Sequence, residues 1–154
     1  MSITKTVILL SAVILFTFGN CLTNEFIGDT RVLFEENTFY KNPENLKLLF
    51  EKSIVMDPGK FLNTPMKEIS ISGGISYRPV VLFTFFFDYA IWKGIPWGHN
   101  LSNVVLHIIA VLLLYGLVVL LTANRNLAFL AALLFCKHPV QSEVVNNVGY
   151  RSDI

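Results

Sequence analysis

Residues 77 to 107, YRPVVLFTFFFDYAIWKGIPWGHNLSNVVLH, are as apolar as a membrane span, yet they carry Arg78, Asp88, Lys93, His99, Asn103 and His107. Lipid disfavours such side chains, so each needs a polar partner or a task. His99, Asn103 and His107 fall at i, i+4 and i+8, which places them on one helical face within about 80°. Two chemistries fit that stripe. It is either a polar seam bonded to neighbouring helices or a face turned toward a ligand. Zinc fits poorly, because i and i+8 lie about 12 Å apart along a helix.

Three further groups could do chemistry. Arg78 stands before Pro79, which holds it extended at the approach to a helix. Its planar fork suits a phosphate, and an interfacial anchor is the alternative. Lys137, His138 and Pro139 close a second apolar run, where the proline would cap or kink the helix. A snorkelling lysine and a surface histidine account for that triplet equally well. Asp29, with Asn37 eight residues on, lies just past the first hydrophobic stretch. Alone it reads as a turn residue or helix cap.

The elements that must position these groups are helical and membranous. The 154 residues are 53% hydrophobic and 15% charged, against about 25% charged in ordinary soluble domains. The mean hydropathy is +0.56. A formal net charge of +1 gives no pull toward nucleic acid. Cys21 and Cys136 both sit in apolar stretches and read as small core residues, not a disulfide or a metal site. Neither CxxC nor HExxH occurs, and there is no Gly-rich phosphate loop.

Residues 3 to 22 form the first span. The rival, a secretory leader, lacks a small-residue cleavage site at Phe18-Gly19-Asn20. Residues 23 to 76 form a polar extramembrane loop with short helices. Within it Asn42 is a candidate N-cap and Pro43 a candidate first helical residue. Residues 79 to 92 make a helix of about 21 Å, short of a hydrocarbon core of about 30 Å. Its aromatic content suits the membrane surface. Residues 100 to 122 are the cleanest span, and residues 126 to 139 read as a third. A last helical stretch carries Glu143, Arg151 and Asp153. The expected fold is therefore an all-α integral membrane protein with three spans and one interfacial helix. Span parity puts residues 23 to 99 and 138 onward on one side, and Arg125 on the other with Lys5. The closing VVNNVGYRSDI reads as an interruption, so an N-terminal fragment of something longer is expected, inactive alone.

Taken in order, FIGDTRVLFEEN, the 77–107 block and LAALLFCKHPVQSEVVNNVGYRSDI resemble the start of one multispanning family. These are the transmembrane and tetratricopeptide-repeat (TMTC-type) O-mannosyltransferases and their bacterial relatives, in the GT-C glycosyltransferase superfamily. The family pattern runs aromatic-Asp-Asp and Asn; Tyr/Phe-Arg-Pro; Asp-Tyr-x-x-Trp; His-x-x-x-Asn-x-x-x-His; His-Pro; Glu-x-Val; Arg-x-Asp-Leu. This chain supplies Asp29, Asn37, Arg78, Asp88, His99, Asn103, His107, His138, Glu143, Arg151 and Asp153. It departs where Gly28 replaces the aromatic and Thr30 the second aspartate. No repeat domain is present.

The resemblance implies a glycosyltransferase that moves a sugar, mannose by analogy, from a polyprenyl-phosphate carrier to a protein hydroxyl or other acceptor. The reaction would take place on the non-cytoplasmic side. Asp29 inherits the role of general base. Arg78, His99, Asn103, His107, His138 and Arg151 would face substrate or lipid phosphate. Asn37, Asp88, Glu143 and Asp153 would support them. The resemblance implies no metal ligand and leaves a divalent ion open. The implied partners are membrane lipid, a lipid-linked donor and a protein or glycan acceptor. The implied location is the endoplasmic reticulum in a eukaryote or the inner membrane in a bacterium. Two other readings stand beside it: a non-enzymatic or degenerate membrane module, and a polar-cleft transporter.

Overall fold

The computed structural model describes residues 2–27, 29–31, 34, 42–50 and 79–154, with backbone alone for Asp29, Leu48, Leu49, Phe50 and Ser152. Every element among them is helical. Helix α1 is Ile3–Phe18, and its Ser2 cap accepts from the Lys5 N–H at 3.4 Å. Thr6, Leu10, Ile14 and Phe18 recur every four residues and form its buried face. Phe16, 93% exposed, and Ile8 point the other way. A 3-10 segment, Gly19–Thr23, finishes the element. One helical turn, α2 (Asp29–Arg31), follows. A 3-10 helix then runs over Pro43–Phe50, and Asn42 Oδ1 accepts from the Glu44 N–H at 3.0 Å. The expected capping by Asn42 is thus present, with tighter 3-10 winding.

Helix α3, Pro79–Trp92, starts where proline costs no intrahelical bond. It ends where Lys93 (φ 50°) and Gly94 (φ 79°) turn left-handed and reverse the chain. Helix α4, Pro96–Thr122, begins three residues before the histidine stripe and runs about 40 Å. Ala123 (φ 53°) takes the left-handed cap position and returns its N–H to the Val119 carbonyl. Asn124 Oδ1 accepts from the N–H groups of Asn126 and Leu127, both at 3.1 Å, and starts α5, Arg125–Cys136. The α4–α5 hairpin is the most extensive helix pair. Ala128, Ala132 and Cys136 give α5 a buried stripe of small side chains. Pro139 opens α6, Pro139–Asn146, and a 3-10 segment, Val148–Asp153, closes the order.

The apolar core joins Leu10, Ile14, Phe18 and Cys21 of the first element to Val104, Val111 and Tyr115 of α4. Ala128, Ala132 and Cys136 of α5 and Val145 of α6 complete it. Both cysteines are free and buried in this core, in the role the sequence suggests.

Among the described residues, two helical stretches are long and apolar enough to cross a membrane. They are Ile3–Thr23 (mean hydropathy 2.0) and Pro96–Thr122 (3.0). The expected third span, 126 to 139, has no such helix. α5 has 12 residues, about 18 Å against a core of about 30 Å. Lys137 interrupts the run as a cap, and Pro139 starts a new helix. At 14 residues, α3 is also too short to span. Most of the 23–76 loop lies outside the described residues.

Gly98 sits under Trp92, and a Cβ there would overlap the Trp92 ring and its Cβ. Trp92 cannot simply swing away. Its Nε1–H donates to Ser102 Oγ at 3.1 Å, and its ring meets Trp97 with centroids 4.9 Å apart. Gly98→Ala should therefore destabilise the protein by about 1–3 kcal/mol, read as a lower thermal midpoint in detergent. Trp92→Leu in the same background should recover part of the loss. An unchanged midpoint in Gly98→Ala would show that the α3–α4 corner is loosely packed.

Candidate functional site

Asp88, Asn103 and the His99 carbonyl, from the apolar region, converge on Arg151. It rises from the Val148–Asp153 segment between α3 and α4 and is 5% exposed. Arg151 Nε donates to Asn103 Oδ1 at 2.7 Å, Nη1 to Thr84 Oγ1 at 3.2 Å and Nη2 to the His99 carbonyl at 3.3 Å. Nη2 also stands 2.6 Å from Asp88 Oδ2, as a contact ion pair without hydrogen-bond alignment. The guanidinium carbon lies 4.8 Å from the centre of the Phe85 ring. Guanidinium cannot shed its proton in a protein, so this buried charge demands such a cage.

Each partner has its own anchorage. Asn103 is fully buried and donates Nδ2–H to the Val145 carbonyl of α6 at 3.4 Å. Thr84 and Asp88 are one turn apart and share a face of α3. His99, also fully buried, holds its Nδ1 3.6 Å from Asp88 Oδ2, too far for a hydrogen bond. Its ring packs against Phe34, with centroids 4.3 Å apart, and edge-on to Phe26 at 5.4 Å. Burial pushes the Asp88 carboxyl up. The facing His99, the Arg151 charge and Ser102 outweigh burial and hold it below the usual aspartate range.

His107 lies two turns deeper and outside this cluster. It is fully buried, with Nε2 3.5 Å from the Cys136 carbonyl and its ring edge-on to Phe18. His99, Asn103 and His107 thus share a face as their spacing predicts, and that face is turned into the bundle as a seam between helices. His138 is exposed and caps α6, its Nδ1 accepting from the Val140 N–H at 3.3 Å. Glu143 and Asp153 are exposed. Asp29 opens α2, next to Thr30, whose Oγ1–H donates to Asn147 Oδ1 at 2.9 Å. Arg78 and Asn37 lie outside the described residues. Among the described residues no three of His, Cys, Asp and Glu are grouped to hold a metal ion.

Three contributors went unread in the sequence. Thr84 is one turn before Asp88 in an otherwise apolar run, and that spacing was the available signal. Asn100 donates Nδ2–H to the Asn24 carbonyl at 2.9 Å and ties α4 to the chain after α1. Asn147 bonds a residue 117 positions away, which no local pattern reveals.

Comparison with known proteins follows this geometry. A Caenorhabditis elegans protein O-mannosyl-transferase is 26% identical over 153 residues, covering 97% of this chain and 21% of that protein. Mouse protein O-mannosyl-transferase TMTC3 is 29% identical over 150 residues, covering 97% of this chain and 15% of its own length. The chain is similar to the TMTC-type protein O-mannosyl-transferases. The fruit-fly protein O-mannosyl-transferase Tmtc2 is 34% identical over 95 residues, covering 61% of this chain and 10% of its own length. The chain spans about a fifth or less of the length of these TMTC-type relatives. No family profile matches the chain, and no solved structure does.

Among the positions of the TMTC-type pattern, Asp88, His99, Asn103 and Arg151 meet in one buried cluster. Removing one member of a buried pair costs about 3–5 kcal/mol, whereas replacing both with apolar groups costs far less. Asp88→Leu and Arg151→Met should therefore each lower the thermal midpoint strongly, and the double variant should lose less than the two losses added. Additive losses would show that the two groups do not interact. Because the Asp88 pKa is lowered on folding, the pair's contribution is present above the usual aspartate range. It is lost as pH falls through the depressed folded-state value. The parent should thus lose more stability in acid than Asp88→Asn does.

Proposed function

We propose that this chain forms part of a glycosyltransferase that moves mannose from a polyprenyl-phosphate carrier to a protein hydroxyl. The observation that carries this reading is the similarity to protein O-mannosyl-transferases across 97% of the chain. The two long apolar helices suit such a place in the membrane. A multi-pass arrangement with the reaction on the non-cytoplasmic side belongs to the same proposal, as does α3 lying at the membrane surface.

In this mechanism Asp29 accepts the proton of the acceptor hydroxyl. The hydroxyl oxygen then bonds to the anomeric carbon of the sugar. The bond from that carbon to the carrier phosphate breaks, and its electron pair leaves with the polyprenyl phosphate. The proton remains on the Asp29 carboxyl until solvent removes it. A base must come within about 3 Å of the hydroxyl, and the turn that begins at Asp29 lies just past the first long helix.

Developing negative charge on the leaving phosphate calls for cationic and hydrogen-bonding groups. Arg78, immediately before α3, and His138 are assigned that task. His138 caps α6 through Nδ1, which leaves its other ring nitrogen for a ligand. His99, Asn103, His107 and Arg151 hold the helices behind that surface, with Asp88 as the counter-charge.

Loss of a general base costs about 10²- to 10⁴-fold in rate. Asp29→Asn in the complete gene product should therefore abolish most mannose transfer to a peptide, while donor binding and the amount of folded protein stay close to the parent's. Asparagine keeps the size and loses the proton acceptor. Glu35→Gln and Glu36→Gln should change little. Transfer at the parent rate by Asp29→Asn would remove Asp29 from the mechanism and favour a non-enzymatic module.

A further inference from the structure

The α2 turn, which begins at Asp29, is tied to the far end of the described chain by Thr30. Thr30 is 3% exposed, and its hydroxyl donates to Asn147 Oδ1 at 2.9 Å. The same oxygen accepts the Gly149 N–H at 3.0 Å. That second bond fixes which way the Asn147 amide faces, with its acceptor toward Thr30. Gly149 completes the fit. A Cβ there would stand 3.1 Å from Thr30 Oγ1 and 3.2 Å from Asn147 Oδ1, closer than ordinary contact. Two residues further on, Arg151 is locked between α3 and α4. A continuous run of contacts therefore links the buried ion pair to the turn that carries Asp29.

We propose that Asn147 and Thr30 are positioning residues, a donor–acceptor latch that sets where the Asp29 backbone stands. The inference rests on the proposed role of Asp29 as base. It also gives Thr30 a task at the position where the TMTC-type pattern has a second aspartate. A carboxylate at position 30 would bring a second acceptor against Asn147 Oδ1. The amide could relieve that clash only by turning over and abandoning Gly149. The hydroxyl is the group that fits.

The test uses the complete gene product and reads kcat per folded molecule, KM for donor and for peptide, and thermal midpoint. Thr30→Val keeps the shape and removes the donor. Asn147→Ala removes the acceptor. Each should lower kcat by about 10- to 100-fold, the scale of a misplaced catalytic group, with donor KM little changed. Thr30→Ser and Asn147→Asp, which keep hydroxyl and acceptor oxygen, should recover most of the parent's kcat. The double variant Thr30→Val/Asn147→Ala should be no slower than the worse single variant, because the two act as one unit.

Asp29→Asn is measured beside them. If it is inactive while Thr30→Val and Asn147→Ala turn over at the parent rate, the latch is wrong and the base stands. A loss confined to the thermal midpoint or to the yield of folded protein makes the contact structural and overturns the proposal. If Asp29→Asn turns over at the parent rate, the base assignment fails and the latch loses its object. A parent that transfers no mannose overturns both.

Discussion

A guanidinium that cannot be neutralised is buried among apolar helices, and much of the described structure is arranged around that constraint. Arg151 draws Asp88 and Thr84 from α3, the Asn103 side chain and the His99 carbonyl from α4, and a ring face from Phe85. α3 is only 14 residues long and lacks the length to be held by spanning a membrane. Its attachment to α4 relies on this polar cage and on the Trp92–Gly98 corner. Burying an ion pair is often no more stabilising than burying apolar groups of the same size. Its effect here is directional, since it fixes one arrangement of α3, α4 and the Val148–Asp153 segment.

The other end of the bundle obeys different physics. Tyr115, Val111, Ala128 and Leu10 meet in a core without charge. Where the surroundings are as apolar as leucine, helices associate through close packing, and small residues let backbones approach. Ala128, Ala132 and Cys136 supply that close approach on α5. His107, with Phe18 and the Cys136 carbonyl around it, marks the border between the two regimes. A bundle built this way keeps its polar joints near the N-terminal, loop-side end of α4.

Much of this was legible in the sequence where one residue's consequence is local. Pro79 opens the helix read at 79–92, whereas Pro96 starts α4 four residues before the span read at 100–122, and Pro139 opens α6 where a cap or kink of the preceding run is expected. The spacing of His99, Asn103 and His107 gave their common face. Spacing could not decide whether that face meets a ligand or another helix, because the deciding partner, Arg151, lies 48 positions beyond Asn103. The 126–139 run shows a related limit of reading by window. Hydropathy integrates over a window and passed over Lys137, while the backbone capped a 12-residue helix there. Thr30 looked like a missing carboxylate until Asn147 stood beside it.

The donor is the part of the account that separates this chemistry from other sugar transfer, and it can be measured directly. Purified complete gene product would be offered a peptide rich in serine and threonine with labelled mannose on either a polyprenyl phosphate or a soluble nucleotide. The account predicts labelled peptide from the polyprenyl-phosphate donor and none from the nucleotide sugar. Labelling from the nucleotide sugar, or from neither donor, would contradict it.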